Sequence, residues 1–182
     1  NVLKTCTAQV SDACFDEIVH PTLTPRERLR QALELFKKAG WKLEGKNLTK
    51  DGAAFEFELL IAEKPHEKIA LGYADMLMKA GIKMNVRFVD SAQYNARKNN
   101  FEFDSVIHLW GVSASPGIEQ NYYWSSAAAD KPASRNYPGI KDPAIDAVIE
   151  KLLQQTTRAE YLHYVKALDR LLWSQDAIVP LV

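Results

Sequence analysis

Between Phe55 and Phe88 the hydrophobic pattern changes period twice. Phe55, Phe57, Leu59 and Ile61 alternate with Glu56, Glu58 and Leu60, the two-residue repeat of a strand. From Pro65 to Ala80, Ile69, Tyr73, Met76, Leu77 and Ala80 recur at helical spacing, and Gly81 ends the run. Ile82, Met84, Val86 and Phe88 then alternate with Lys83, Asn85 and Arg87. A helix placed between two strands by short joints rules out a tight hairpin. It predicts a parallel pair with a right-handed crossover, and so an α/β fold.

The flanks extend this unit. Thr24-Pro25-Arg26-Glu27 combines an N-cap hydroxyl, proline at the first helical position and a capping-box glutamate. Leu29, Ala32, Leu33 and Phe36 carry that helix to a stop at Gly40. A turn is expected at Asp51-Gly52, and a short helix capped by Ser91 through Arg97. A third strand is expected from Phe101 to Trp110, with Phe101, Phe103, Ser105, Ile107 and Leu109 on one face. Residues 111–141 read as loop with short helical turns, a length that in a compact domain is usually functional or mobile. Asp142-Pro143 opens a helix striped by Ile145, Val148, Ile149, Leu152 and Leu153. Thr157 and Glu160 form a second capping box, leading into Leu162, Val165, Leu168 and Leu172. Ile178-Val179-Pro180 reads as the opening of another strand. Residues 1–24 read as an irregular lead-in or connection, and 25–182 as a single lobe.

Bulk properties exclude several function classes. The 182 residues suffice for one good core, either as a domain or as a lobe of something larger. Twenty-three basic side chains balance twenty-three acidic ones, so no footprint for nucleic acid or an anionic membrane stands out. No apolar run approaches the roughly 20 residues of a membrane helix. The start, NVLKTCTAQV, has neither an initiator Met nor a signal-peptide pattern, as expected of a processed chain or a fragment. Cys6 and Cys14 are the two cysteines. A disulfide between them would close a short loop in an oxidising compartment, and two unrelated thiols are the alternative. The absence of C-x-x-C argues against a redox role.

The densest departure from packing needs is Asn99–Ser126, NNFEFDSVIHLWGVSASPGIEQNYYWSS, where strand gives way to a small-residue loop and then an aromatic cluster. Open α/β proteins line ligand clefts in this way at the carboxyl ends of their strands. Trp110, Tyr122, Tyr123, Trp124 and Tyr137 offer flat apolar faces with polar tips; the alternative is that Trp110 and Trp124 simply fill the core. Gly111, Ser113 and Ser115 provide accessible backbone and hydroxyls suited to a peptide-like ligand, or plain turn chemistry. Asp104 and Glu119 could pair with a cationic ligand group, or remain solvated acids.

Catalytic readings fare worse. His20, His66, His108 and His163 fall in four separate elements without metal-ligand spacing, so no metal site is supported and no cofactor is expected. GVSASPG has neither the glycine spacing nor the lysine of a phosphate loop, and Ser113 and Ser115 lack the G-x-S-x-G elbow. A serine hydrolase using Ser113 or Ser115 with His108, and a protein-interaction module docking through the aromatic loop, remain as rivals.

The helix ending AGW, the helix ending KAGIKM, and then FEFDSVIHLWG, SPGIEQNYYWSSAAAD, SRNYPGIKDPAIDAVIEKLL and ALDRLL together resemble the C-terminal lobe of family 5 extracellular solute-binding proteins. Within that family the branch of oligopeptide and microcin C receptors is the nearest in pattern. The resemblance covers Pro25–Val182 and is most specific from Phe101 to Asp146. It implies one lobe of a type II periplasmic-binding-protein-like fold, with a mixed, mostly parallel sheet flanked by helices. The N-terminal lobe and the segment after Ile178–Val182 would be missing. It implies no catalysis, but binding of peptides or peptide conjugates in the Gram-negative periplasm and delivery to an inner-membrane ABC permease. Trp110 would form an apolar wall, Gly111, Ser113 and Ser115 polar contacts, with Glu119, Tyr122, Tyr123 and Asn136 nearby. Receptors of this family that grip a free α-amine carry an Asp where this chain has Val112. That grip is therefore not expected here, unless Glu119 or the missing lobe replaces it.

Overall fold

The structure is a computed structural model that describes residues 23–111 and 113–179. Cys6, Cys14, His20, most of the lead-in, Val112 and the end from Pro180 to Val182 lie outside the described residues. The chain divides into two compact units at the Leu109–Trp110 junction.

The first unit begins with α1 (Pro25–Lys38), whose start is the predicted capping box. The Thr24 hydroxyl accepts from Glu27 N at 3.3 Å, and Thr24 N donates to the Glu27 carboxylate at 2.8 Å. Three short strands follow that the periodicity does not announce: β1 (Lys42–Glu44), β2 (Asn47–Lys50) and β3 (Ala53–Ala54), an antiparallel meander. Asp51 and Gly52, at φ +54° and +80°, make the β2–β3 turn with the positive angles that suit hairpin twist. Leu48 of β2 is buried with Ala80 and Ile82, and α1 adds Leu29, Leu33 and Phe36 to that cluster.

The predicted crossover unit is present. β4 (Glu56–Ile61) and β5 (Lys83–Phe88) pair in parallel from Glu56↔Lys83 to Ile61↔Phe88, joined through α2 (Lys64–Met78). α2 turns Ala70, Tyr73, Ala74 and Leu77 toward Leu59, Ile61 and Met84. Ile69 and Met76, expected inward, are 48% and 59% exposed, because the stripe centres on Ala70 and Leu77. The other sheet face is a charged ladder: Glu56 bonds Lys83 and Asn85, and Glu58 pairs with Arg87 and with Arg97 of α3 (Ser91–Asn99). Asp90, not Ser91, caps α3, accepting from Gln93 N at 2.9 Å.

The third strand is much shorter than its alternation predicts. β6 is Ser105–Val106 alone, parallel to β4, giving the order β5-β4-β6. Side chains take over backbone groups on either side of it. The Asp104 carboxylate accepts from Glu58 N at 2.9 Å, and the Tyr94 hydroxyl donates to Ile107 O. Asp104, although exposed, thus bonds the backbone of the central strand β4.

Among the described residues the second unit is helical: α4 (Glu119–Trp124), α5 (Ser126–Ala129), α6 (Pro143–Gln154) and α7 (Arg158–Trp173). Asp142 caps α6, and the Thr157 hydroxyl accepts from Glu160 N at the start of α7. The core is Trp124, Ile140, Ile145, Ile149, Leu152 and Leu168. Leu153 and Leu162, assigned to the inner stripes, are 41% and 40% exposed. For Leu153 one residue past Leu152 is a rotation of about 100° around the helix. Ile178 packs on this core without ladder pairing, so the expected strand does not open in its described part. No described helix is long and apolar enough to cross a membrane.

Candidate functional site

The eight candidate residues all belong to the second unit, so their mutual geometry is internal to it. Trp124 is 8% exposed and is core; its indole N–H donates to Gln120 Oε1 at 3.1 Å. Trp110 lies half-buried on it, with ring centroids 5.1 Å apart, and approaches Tyr137 at 6.1 Å. Its indole N–H donates to Arg135 O at 3.1 Å. Tyr123 packs edge-on against Trp124 and lies 6.2 Å from the Tyr122 ring. Tyr122 is 42% exposed, and its hydroxyl donates to Ala133 O.

The loop after Trp110 is tied down by its own polar atoms. Gly111 and Ser113 are exposed, and a Cβ on Gly111 would lie 3.9 Å from the Tyr123 hydroxyl. The Ser113 hydroxyl accepts from Ser115 N at 3.0 Å and donates to Ser115 O at 3.2 Å, a serine-capped turn. Pro116 O accepts from the Tyr161 hydroxyl of α7 at 2.8 Å. Glu119 Oε1 accepts from Gly117 N at 2.8 Å and from the Gln120 amide at 3.2 Å. Burial alone would raise the Glu119 carboxyl; the hydrogen bonds from Gly117, from its own backbone and from Gln120 outweigh it and hold it below the ordinary value.

Asn136 departs most from its expected role. It is fully buried, its amide donating to Ser125 O at 3.0 Å and Ile140 O at 2.9 Å while its oxygen accepts from Ile140 N at 3.0 Å. This side chain shapes the loop from inside and offers nothing to a ligand. Of the two serines of the catalytic rival, Ser113 has its hydroxyl engaged at both ends within its own turn, where Ser115 takes part through its backbone. Among the described residues no cluster of His, Cys, Asp and Glu could hold a metal ion. Two shallow concavities lie along α1 and the β1–β2 meander, and no residue of the aromatic loop lines them.

Two residues that the sequence does not mark contribute to this surface. Tyr161 sits in the helical pattern of α7 and looks like packing. Arg135 lies in an aperiodic loop, yet its carbonyl holds Trp110 and its guanidinium lies over the Tyr123 ring, 5.8 Å from the centroid.

The family model for bacterial extracellular solute-binding proteins, family 5 Middle, matches residues 10–132. The probable peptide-binding protein YejA of Agrobacterium fabrum is 40% identical over 157 residues, covering 85% of this chain and 26% of that relative. The peptidoglycan-binding protein YepA of the same organism is 38% identical over 157 residues, covering 86% and 26%. The chain thus spans about a quarter of the length of the curated relatives it matches. In fold it is similar to the oligopeptide-binding protein AppA of Bacillus subtilis, solved with a nonapeptide. The TM-score is 0.73 at 23% identity, over 81% of this chain and 30% of that one.

Proposed function

We propose that this chain, which belongs to the family 5 bacterial extracellular solute-binding proteins, carries part of the binding surface of an ABC-importer receptor for peptides or peptide-like solutes. The observation that carries the reading is the family match, which takes in Trp110 and the Tyr122–Trp124 cluster. Kinship with relatives named as peptide-binding and peptidoglycan-binding supports a peptide or peptide conjugate as the guest. Proteins of this family bind solutes rather than transform them, and the reading extends to a periplasmic location and to handover of the guest to a membrane permease. The missing lobe of the same receptor would supply the other wall.

In this reading Trp110 presents its ring face to the guest, Tyr122 and Tyr123 extend that wall, and the backbone at Gly111, Ser113 and Ser115 supplies polar contacts. Glu119 acts from behind, holding Gly117 N. Val112, where related receptors place an amine-binding carboxylate, lies outside the described residues. The test is isothermal titration calorimetry of the full-length receptor with free oligopeptides and with peptidoglycan-derived peptides. Trp110→Ala is expected to weaken binding about tenfold or more, the scale of a lost aromatic anchor. Unchanged affinity with an intact fold would remove Trp110 from the site.

A further inference from the structure

Charge balances over the whole chain but not along its length. From Pro25 to Lys50, through α1, β1 and β2, eight lysines and arginines stand against Glu27, Glu34 and Glu44. Two of these carboxylates are engaged: Glu27 closes the capping box at Thr24, and Glu34 meets Arg30 at 3.4 Å. Arg26, Lys37 and Lys42 are exposed and meet no carboxylate among the described residues. The same stretch carries apolar surface that the first unit leaves open. No residue of α1 is fully buried; Leu29 and Leu33 are half-buried, and Leu43 of β1 is 54% exposed.

The two shallow concavities lie on this surface. One runs along α1 over Leu29 and Leu33, and the other continues over Trp41, Leu43 and Leu48. Leu33 and Lys37 border both, so they form one groove with an apolar floor and a basic rim of Arg26, Arg30, Lys37 and Lys42. Arg26, Arg30, Leu33 and Lys37 recur at intervals of three or four residues and share one flank of α1. At 1.5 Å per residue that flank is about 16 Å long, some three helical turns. A groove of this form matches an amphipathic helix whose apolar stripe is flanked by carboxylates. A flat anionic membrane fits less well, because it would meet the rim without reaching the floor of a concave surface. We propose that this groove docks an acidic amphipathic helix of a partner protein, with its carboxylates against Arg26, Lys37 and Lys42 and its apolar stripe on Leu33 and Leu43. The site lies wholly in the first unit, and the proposal is independent of the guest assigned to the aromatic loop.

Fluorescence anisotropy with the full-length receptor tests it. The probes are a labelled helical peptide with a leucine stripe flanked by glutamates, the same peptide with lysines in place of the glutamates, and vesicles of phosphatidylglycerol. The Leu/Glu peptide is expected to bind about tenfold or more tightly than the Leu/Lys peptide, and less tightly as salt rises. The double variant Arg26→Glu/Lys37→Glu should weaken it about tenfold or more, and Leu43→Ser several-fold. These side chains are exposed, and circular dichroism checks that each variant is folded. Arg26→Gln/Lys37→Gln replaces the charge reversal if that disturbs α1, with a smaller loss expected. Equal binding of the two peptides, or binding unmoved by the rim substitutions, overturns the proposal. A loss on Trp110→Ala but not on the rim substitutions would place the peptide on the aromatic surface and also overturns it. Vesicle binding without peptide binding would make the occupant a lipid surface. Self-association in sedimentation that disappears in the double variant, again without peptide binding, would make it a second copy. Either result overturns the partner helix.

Discussion

Asn136→Ala should be among the most damaging single changes in the second unit. The Asn136 amide is fully buried and serves three backbone groups, Ser125 O, Ile140 O and Ile140 N, at 2.9–3.0 Å. Truncation strands the two Ile140 groups in the core, where each unsatisfied polar group costs about 1–3 kcal/mol. Ser125 is only half-buried and water can reach its carbonyl, so it contributes little. Adding the space the amide leaves behind, the loss comes to about 3–5 kcal/mol, a large share of the roughly 5–15 kcal/mol that stabilises a typical domain.

Urea unfolding followed by tryptophan fluorescence reads this directly, because Trp110 and Trp124 lie in the same packed region. Asn136→Asp sharpens the case. The isosteric carboxylate has no proton to donate and would face the Ser125 and Ile140 carbonyls, so at pH 7 it should destabilise at least as much as Ala. Protonation at low pH restores one donor, so the Asp variant should regain ground there relative to Ala. A loss below about 1 kcal/mol for Asn136→Ala would refute the account, since the stranded Ile140 groups alone exceed it.

Two further perturbations probe backbone and charge. Gly81 sits at φ +81°, and a Cβ there would meet Leu43 Cδ1 at 2.7 Å and Leu48 N at 2.8 Å. Gly81→Ala should therefore cost about 2–5 kcal/mol, whereas Gly45→Ala, also at positive φ but in open space, should cost about 1–2 kcal/mol in the same urea assay. Equal effects would show that the close approach of β2 is not what demands glycine at 81. The Glu119 carboxyl is held below its ordinary value, so its stabilisation is present above the unfolded-state pKa and is lost as pH falls through the folded value. Glu119→Gln should lower the urea midpoint at pH 7, and the gap from wild type should close on acidification below the ordinary carboxylate range. A gap that stays constant or widens would contradict the assignment.

Which parts of the molecule can be read from sequence follows the range of the interactions. The starts of α1, α6 and α7, and the β4–α2–β5 crossover, rest on signals within three or four residues or on a clean period, and the structure keeps them. The β1–β3 meander has strands of two to four residues in which only Leu48 is buried, too few apolar positions for alternation to show. The third strand alternates well yet pairs only at Ser105–Val106, because the competing partners Glu58 and Tyr94 come from elsewhere in the chain. The loop follows the same rule. That it is unusual is visible in its composition, but Trp110, Tyr122 and Asn136 direct their polar atoms to groups up to 25 residues away, which no local pattern encodes.

Those internal bonds also decide what the loop has left to offer. Trp110 and Tyr122 use their N–H and O–H on loop carbonyls, and Asn136 is sealed inside, so these three give a guest only apolar faces or nothing. Under the proposed reading, directional contacts then fall to exposed backbone around Gly111 and Ser113. Flat aromatic faces discriminate weakly among side chains, while main-chain donors and acceptors read the amides that every peptide shares. Under the proposed reading, affinity comes from a pre-ordered wall whose polar groups are already satisfied, which lowers the ordering cost of binding. A surface built this way favours a class of guests over one sequence, as a receptor for peptides of varied composition needs.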